Sequence, residues 1–130
     1  MNSQSVNGSE IERAIRGLDQ KFMERIAARD HEGLANGFYA DDAYVVARER
    51  PLVKGRNAVS RFWREFLLKD VVGLTLTPSH IEAEGHLAFS VGTYTLRTIE
   101  CLENGKYLVV YRQGEDGGWA RAAESFISDD

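Results

Sequence analysis

The chain has 130 residues, enough for one domain with a real core, and its hydrophobic share of 43% is ordinary for a soluble globular protein. Its net charge of −4 and pI near 5.4 set its surface against nucleic acid and anionic membranes. One cysteine, Cys101, excludes an internal disulfide and any zinc site built on several thiols.

The N-terminus, MNSQSVNGS, has neither the basic nor the apolar region of a signal peptide, and no apolar run nears the ~20 residues of a membrane span. With the lone thiol, this points to a cytoplasmic protein. Residues 1–9 are polar and predict a disordered tail, with one domain over residues 10–130. Ser9 and Glu12 make a capping box. Ile11, Ile15, Leu18, Phe22 and Ile26 then recur at helical spacing, predicting a long helix to about Arg29. Asp30 reads as the N-cap of a short second helix carrying Leu34 and Phe38. Asp41-Asp42 is expected to stop that helix, and Ala43 to Ala47 reads as a strand. After a loop with Pro51, Gly55 precedes a third helix with Val59, Phe62, Trp63, Phe66 and Leu67 on one face.

Beyond Asp70 the pattern becomes strand-like: Leu74 to Glu84, His86 to Thr98, Lys106 to Gln113 and Trp119 to Ser128. Turn signals separate them at Glu84-Gly85, Asn104-Gly105 and Asp116-Gly117-Gly118. Helices first and an antiparallel meander after argue an α+β fold. A curved antiparallel sheet wrapped around the long N-terminal helix makes a cone, whose open end is a pocket. Gly92, inside a strand pattern, marks a bend or bulge.

The segments YADDAYVV, KGRNAVSRFW, HLAFSVGTYTL and GKYLVVYRQGEDGGWARAAESFIS resemble, in order and spacing, the nuclear transport factor 2-like superfamily with its cystatin-like fold. Within it the chain looks most similar to SnoaL-like and ketosteroid-isomerase-related proteins. It also resembles the small bacterial domains related to the calcium/calmodulin-dependent kinase II association domain. The resemblance implies a general base five residues beyond the second acid of the Asp-Asp pair, and this chain has Ala47 there. It implies an oxyanion-holding tyrosine where the chain has Phe22, and a protonated acid where it has Val109. A base and an enolate-stabilising donor are both needed to abstract a proton next to a carbonyl, so ketosteroid isomerase activity is not expected.

From the resemblance, Phe22 and Trp63 are expected to face each other across the pocket, either as an aromatic ligand wall or as plain core. The expected ligand-binding set is Phe22, Ile26, Ala47, Trp63, Tyr94, Tyr107, Val109 and Tyr111. Tyr94, Tyr107 and Tyr111 point inward if alternation holds. Glu124, mid-strand in ARAAESFI, reads as a buried acid or base, as the partner of an arginine such as Arg97 or Arg112, or as a solvent-facing residue. His80 at the start of a long strand reads as a base at the cone mouth or as a surface histidine. Asp41 and Asp42 read as an acid pair or a turn pair. Arg48, Glu49 and Arg50 read as a loop by the opening that could clasp a carboxylate, or as a solvated loop. No metal-ligand spacing and no phosphate-binding glycine loop is present, so no metal or cofactor is expected.

Two functions follow. One is a pocket for a small apolar or aromatic ligand, with or without a modest lyase or isomerase reaction carried by Glu124, Tyr111 or His80. The other is a non-catalytic association module with a vestigial pocket. The outward strand face bearing Phe89, Val91, Thr93 and Thr95 is apolar for a solvated surface and predicts a homodimer.

Overall fold

Apolar residues three and four apart make the first helix one-sided. In the computed structural model, which describes residues 2–129 and side chains from residue 10 onward, α1 spans Asn2–Ala27. It buries Ile15, Phe22 and Ile26 completely, with Ile11 and Leu18 at the margin. The helix begins at Asn2, ahead of the start expected at Ser9, and the side chains of residues 2–9 lie outside the description. Asp30 caps α2 (His31–Phe38), its carboxylate accepting the Gly33 N–H at 2.9 Å.

The chain then enters β1 (Tyr39–Ala47) directly, so Asp41-Asp42 does not end the helix but lies within the strand. A short β2 (Val53–Lys54) leads to α3 (Arg56–Leu67), with Gly55 at its N-cap with a φ of 89°. The strands β3 (Val71–Glu84), β4 (Leu87–Thr98), β5 (Leu102–Gln113) and β6 (Trp119–Ser128) follow as a meander. One six-stranded sheet results, in the order β2-β1-β6-β5-β4-β3. The sheet is not wholly antiparallel, because β1 runs parallel to β6. The helical crossover through α3 and the meander brings the last strand beside the first.

Asn104-Gly105 is not a turn. Both residues lie inside β5, paired with Thr95 and Tyr94, and the chain reverses at residues 99–101 instead. Gly105 serves a close approach: a Cβ there would sit 2.4 Å from the Ile127 carbonyl oxygen and 2.4 Å from the Tyr94 ring. Asn-Gly is a hairpin signal because glycine accepts positive φ; here glycine is required because an aromatic ring lies on it. Gly92 meets the expectation of a bulge. It pairs with Pro78, where the register of β3 slips before His80, and a Cβ would sit 2.3 Å from the Thr77 carbonyl oxygen.

The inner face of the sheet carries Ala88, Ser90, Tyr94 and Leu96 from β4 and Tyr107, Val109 and Tyr111 from β5, all buried against α1, α2 and α3. The outer face carries Phe89, Val91, Thr93 and Thr95, with Thr93 exposed and the others half-buried.

Candidate functional site

The helix α3 presents Phe62 and Trp63 toward the sheet and Phe66 at their edge. These rings meet edge to face or stacked, at 5.3 to 6.2 Å between centroids. Opposite them stand Leu74 of β3, Tyr94 and Leu96 of β4 and Phe126 of β6. Between the two walls is a cavity of about 200 Å³, at the open end of the cone. Ala47 at the end of β1 lines it as well, with Arg48, Arg50, Lys69, Glu103 and Ser128. The Tyr94 hydroxyl donates to Glu103 at 2.7 Å. Burial, and then the Glu103 carboxylate, push the Tyr94 phenol well above its usual range, so it stays protonated.

A second, wider groove lies where β1 and β6 begin, between Asp41, Asp42, Arg56, Arg112 and Trp119. Its charges answer one another: Arg56 meets Asp41 at 2.6 Å, and Arg112 meets Asp42 at 3.0 Å. The Asp41-Asp42 pair is thus a pair of surface ion-pair acids.

Beneath the cavity lies a buried polar cluster. Trp63 Nε1 donates to the Tyr39 hydroxyl at 2.9 Å, and that hydroxyl donates to Glu124 Oε1 at 2.7 Å. Arg121 Nη1 donates to the same Glu124 oxygen at 2.8 Å, and its Nη2 donates to Asp19 Oδ1 at 3.1 Å. Tyr111 completes the chain, its hydroxyl donating to Asp19 Oδ1 at 2.8 Å. The Arg121 guanidinium also lies 3.8 Å from the centroid of Phe22. One cation therefore holds two carboxylates, and Asp19 Oδ2 and Glu124 Oε2 have no hydrogen-bond partner.

A bulge makes this cluster. Val110 pairs with Ala123 and Tyr111 with Arg121, which leaves Ala122 as an extra residue on β6. In a regular strand residues three apart point to opposite faces. The bulge turns Arg121 back inward, onto the face that holds Glu124.

A family model for the SnoaL-like domain matches residues 20–122. The chain belongs to the SnoaL-like family. The fold of this SnoaL-like domain is that of the nuclear transport factor 2-like superfamily. It is similar to a nuclear transport factor 2-like protein with a cystatin-like fold from Novosphingobium aromaticivorans, with 18% identity and a TM-score of 0.78 over 93% of this chain and 83% of that one. It is similar to a ketosteroid isomerase-like protein from Erwinia carotovora atroseptica, with 13% identity and a TM-score of 0.76 over 91% of this chain and 95% of that one. A nuclear transport factor 2-like protein of unknown function from Pseudomonas putida is 21% identical, with a TM-score of 0.76 over 91% of this chain and 86% of that one. At these identities the likeness is one of fold. No curated protein matches the sequence.

The SnoaL-like fold brings together only part of the expected ligand set. Ala47, Trp63 and Tyr94 line the cavity. Phe22, Ile26, Tyr107, Val109 and Tyr111 lie deeper, within the closed core. Phe22 and Trp63 do not face each other across a space; their rings touch edge to face at 5.6 Å. Glu124 is buried, but its arginine is Arg121, not Arg97 or Arg112. His80 lies on the outer face, 2.9 Å from the exposed Glu82, because the bulge after Pro78 turns it away from the cone. Among the described residues no group of three or more His, Cys, Asp or Glu could hold a metal.

Sequence reading names Glu124 but not Asp19, Tyr39 or Arg121. Asp19 was findable: it stands four residues after Ile15 and three before Phe22, on the buried face of α1. Arg121 was not, since alternation from Glu124 assigns it to the opposite face.

Burial pushes the Glu124 carboxyl up from its ordinary value, and it outweighs Arg121 and the hydrogen bond from Tyr39. A carboxyl with a raised folded pKa binds its proton more tightly when folded. Its stabilising contribution is complete below the unfolded value of 4.5 and is lost as pH rises through the folded value. The unfolding free energy of the wild type is therefore expected to fall relative to Glu124→Gln as pH rises above 4.5. Urea titrations at stepped pH measure this; a difference that stays flat refutes it.

Proposed function

We propose that this SnoaL-like domain binds a small apolar or aromatic molecule in the cavity at the mouth of the cone. The observation that carries this reading is the wall of Phe62, Trp63, Phe66, Leu74, Leu96 and Phe126 around a space of about 200 Å³. That space is smaller than the ~300–1,000 Å³ of common ligand sites, which favours compact guests of one or two rings. The groups at hand favour binding over turnover. Ala47 offers only a methyl group to the cavity, and the lining carboxylate, Glu103, is engaged by Tyr94. A lyase or isomerase step drawing on Glu124 would have to pass Trp63 and Tyr39, which close over it. A reducing, cytoplasmic setting fits the single exposed thiol, Cys101.

The test is a thermal-shift series with one- and two-ring apolar and aromatic compounds, read beside the fluorescence of Trp63 in a Trp119→Phe background. A compound at 100 times its Kd is expected to stabilise the protein by about 2.7 kcal/mol. No shift and no quenching by any compound would overturn the reading.

A second reading, self-association, is favoured by the outer face of the sheet. Val91 pairs with Leu108, and Phe89 with Val110, which sets four apolar side chains side by side. Leu87 is 52% exposed and Leu108 45%. We infer a homodimer formed on this face by a second copy of the chain. Sedimentation velocity is expected to give a dimer at micromolar concentration, and a monomer for Val91→Glu. A wild-type monomer refutes it. A dimer that binds no compound in the thermal-shift series favours an association module.

A further inference from the structure

The cavity is apolar inside and charged at its edge. Its lining carries the cations Arg48, Arg50 and Lys69 and the carboxylate Glu103. The whole chain carries a net charge of −4, so a cationic edge is a local reversal. Two of these cations rest on the rings that form the wall. The Arg50 guanidinium carbon lies 5.2 Å from the centroid of Phe62, and the Lys69 ammonium 6.0 Å from that of Phe66. Phe62 and Phe66 are stacked, with 12° between their planes. Arg50 and Lys69 are thus bound to one aromatic stack, which forms part of the cavity's own wall.

Resting on the reading of this cavity as an apolar and aromatic pocket, we propose that its ligands are planar aromatic carboxylates. The ring enters between the apolar walls, and the carboxylate stays at the edge held by Arg50 and Lys69. A guanidinium offers paired N–H donors that match the two oxygens of a carboxylate. Lys69 adds a second, mobile charge. Arg50 already practises this contact, since its Nη1 bonds the Glu65 carboxylate at 3.1 Å. That pair is solvent-exposed, with side-chain exposures of 33% and 54%, and exposed pairs are weak. Exchanging Glu65 for a ligand carboxylate therefore loses little. A cationic guest would meet Arg50 and Lys69, and the lining carboxylate, Glu103, is engaged by Tyr94.

The experiment is isothermal titration of the full chain with 2-naphthoate and with its neutral counterpart 2-naphthamide. In low salt 2-naphthoate is expected to bind about tenfold or more tighter, the difference a charge-assisted hydrogen bond makes. High salt is expected to shrink that preference. The double variant Arg50→Gln/Lys69→Gln is expected to bring the two affinities within about twofold, through loss of 2-naphthoate binding alone. Unchanged 2-naphthamide binding shows that the variant's cavity is intact. Equal affinities in the wild type overturn the carboxylate inference while the aromatic pocket stands. A preference that survives the double variant overturns it too, as does loss of both compounds, which would assign the two cations to packing. Binding of neither compound by the wild type overturns the pocket reading and this inference together.

Discussion

Replacing Arg121 with alanine is expected to lower the unfolding free energy by about 3–5 kcal/mol, the cost of leaving buried charge without its partner. Arg121, Asp19 and Glu124 are each about 2% exposed or less. Without the guanidinium, two carboxylates would share one dry site, and each already has an oxygen with no partner. Burial itself works against the charge on Arg121, yet Tyr111, Glu124, Tyr39 and Asp19 around it hold its pKa above the ordinary value. The cation is thus a fixture of the fold. Urea denaturation near neutral pH measures the loss. The loss is attributed to unpaired charge by a triple variant, Asp19→Asn/Arg121→Met/Glu124→Gln, which removes all three charges and is expected to recover part of the stability. Arg16→Ala breaks an exposed pair on α1, Arg16 to Glu12 at 3.1 Å, and is expected to lower stability by less than about 1 kcal/mol. Equal losses for Arg16→Ala and Arg121→Ala would refute the assignment.

Trp63→Ala is expected to destabilise the domain by a similar amount, about 3–5 kcal/mol, for a different reason. Trp63 is 2% exposed and touches Phe22, Phe62 and Phe66 at 5.3 to 5.6 Å between centroids. Its removal opens the floor of the mouth cavity onto Tyr39 and Glu124. Trp63→Phe keeps much of the ring contact but drops the N–H donated to Tyr39, at a cost of about 1–2 kcal/mol. The difference between the two variants separates packing from the hydrogen bond. Trp63→Ala also has a second consequence. Water entering through the gap would solvate Glu124, whose pKa is held up chiefly by burial. The pH dependence that distinguishes the wild type from Glu124→Gln is then expected to disappear in the Trp63→Ala background. If it persists there, Trp63 is not what keeps the carboxylate dry.

Both variants act on one device, a polar core closed off from an apolar pocket by a single indole. The ring of Trp63 serves the cavity and its N–H serves the cluster. The indole thus stands between the cavity and the buried charges of Arg121, Asp19 and Glu124. Two carboxylates and two tyrosines lie close beneath the cavity, and the indole separates them from it.

Periodicity along the chain was enough for the helices, the meander and the side of each element that faces the core. Ile15, Phe22 and Ile26 on α1, Asp30 at the N-cap of α2, and Tyr94, Tyr107 and Tyr111 on the strands stand where local rules put them. Those rules work because side-chain direction in a regular helix or strand is fixed by backbone geometry alone. The order of motifs from YADDAYVV to the last strand likewise carried the family. What the local rules could not reach lies wherever the backbone departs from regularity or answers to a distant element. The extra Ala122 reverses alternation and so sends Arg121 inward; the slip after Pro78 sends His80 outward. Gly105 is fixed by the Tyr94 ring and the β6 backbone, neither of which is local to it. The depth of the pocket was tertiary as well, because it depends on whether Phe22 and Trp63 stand apart or touch. They touch, the core beneath them is filled, and the cavity that remains is at the mouth of the cone.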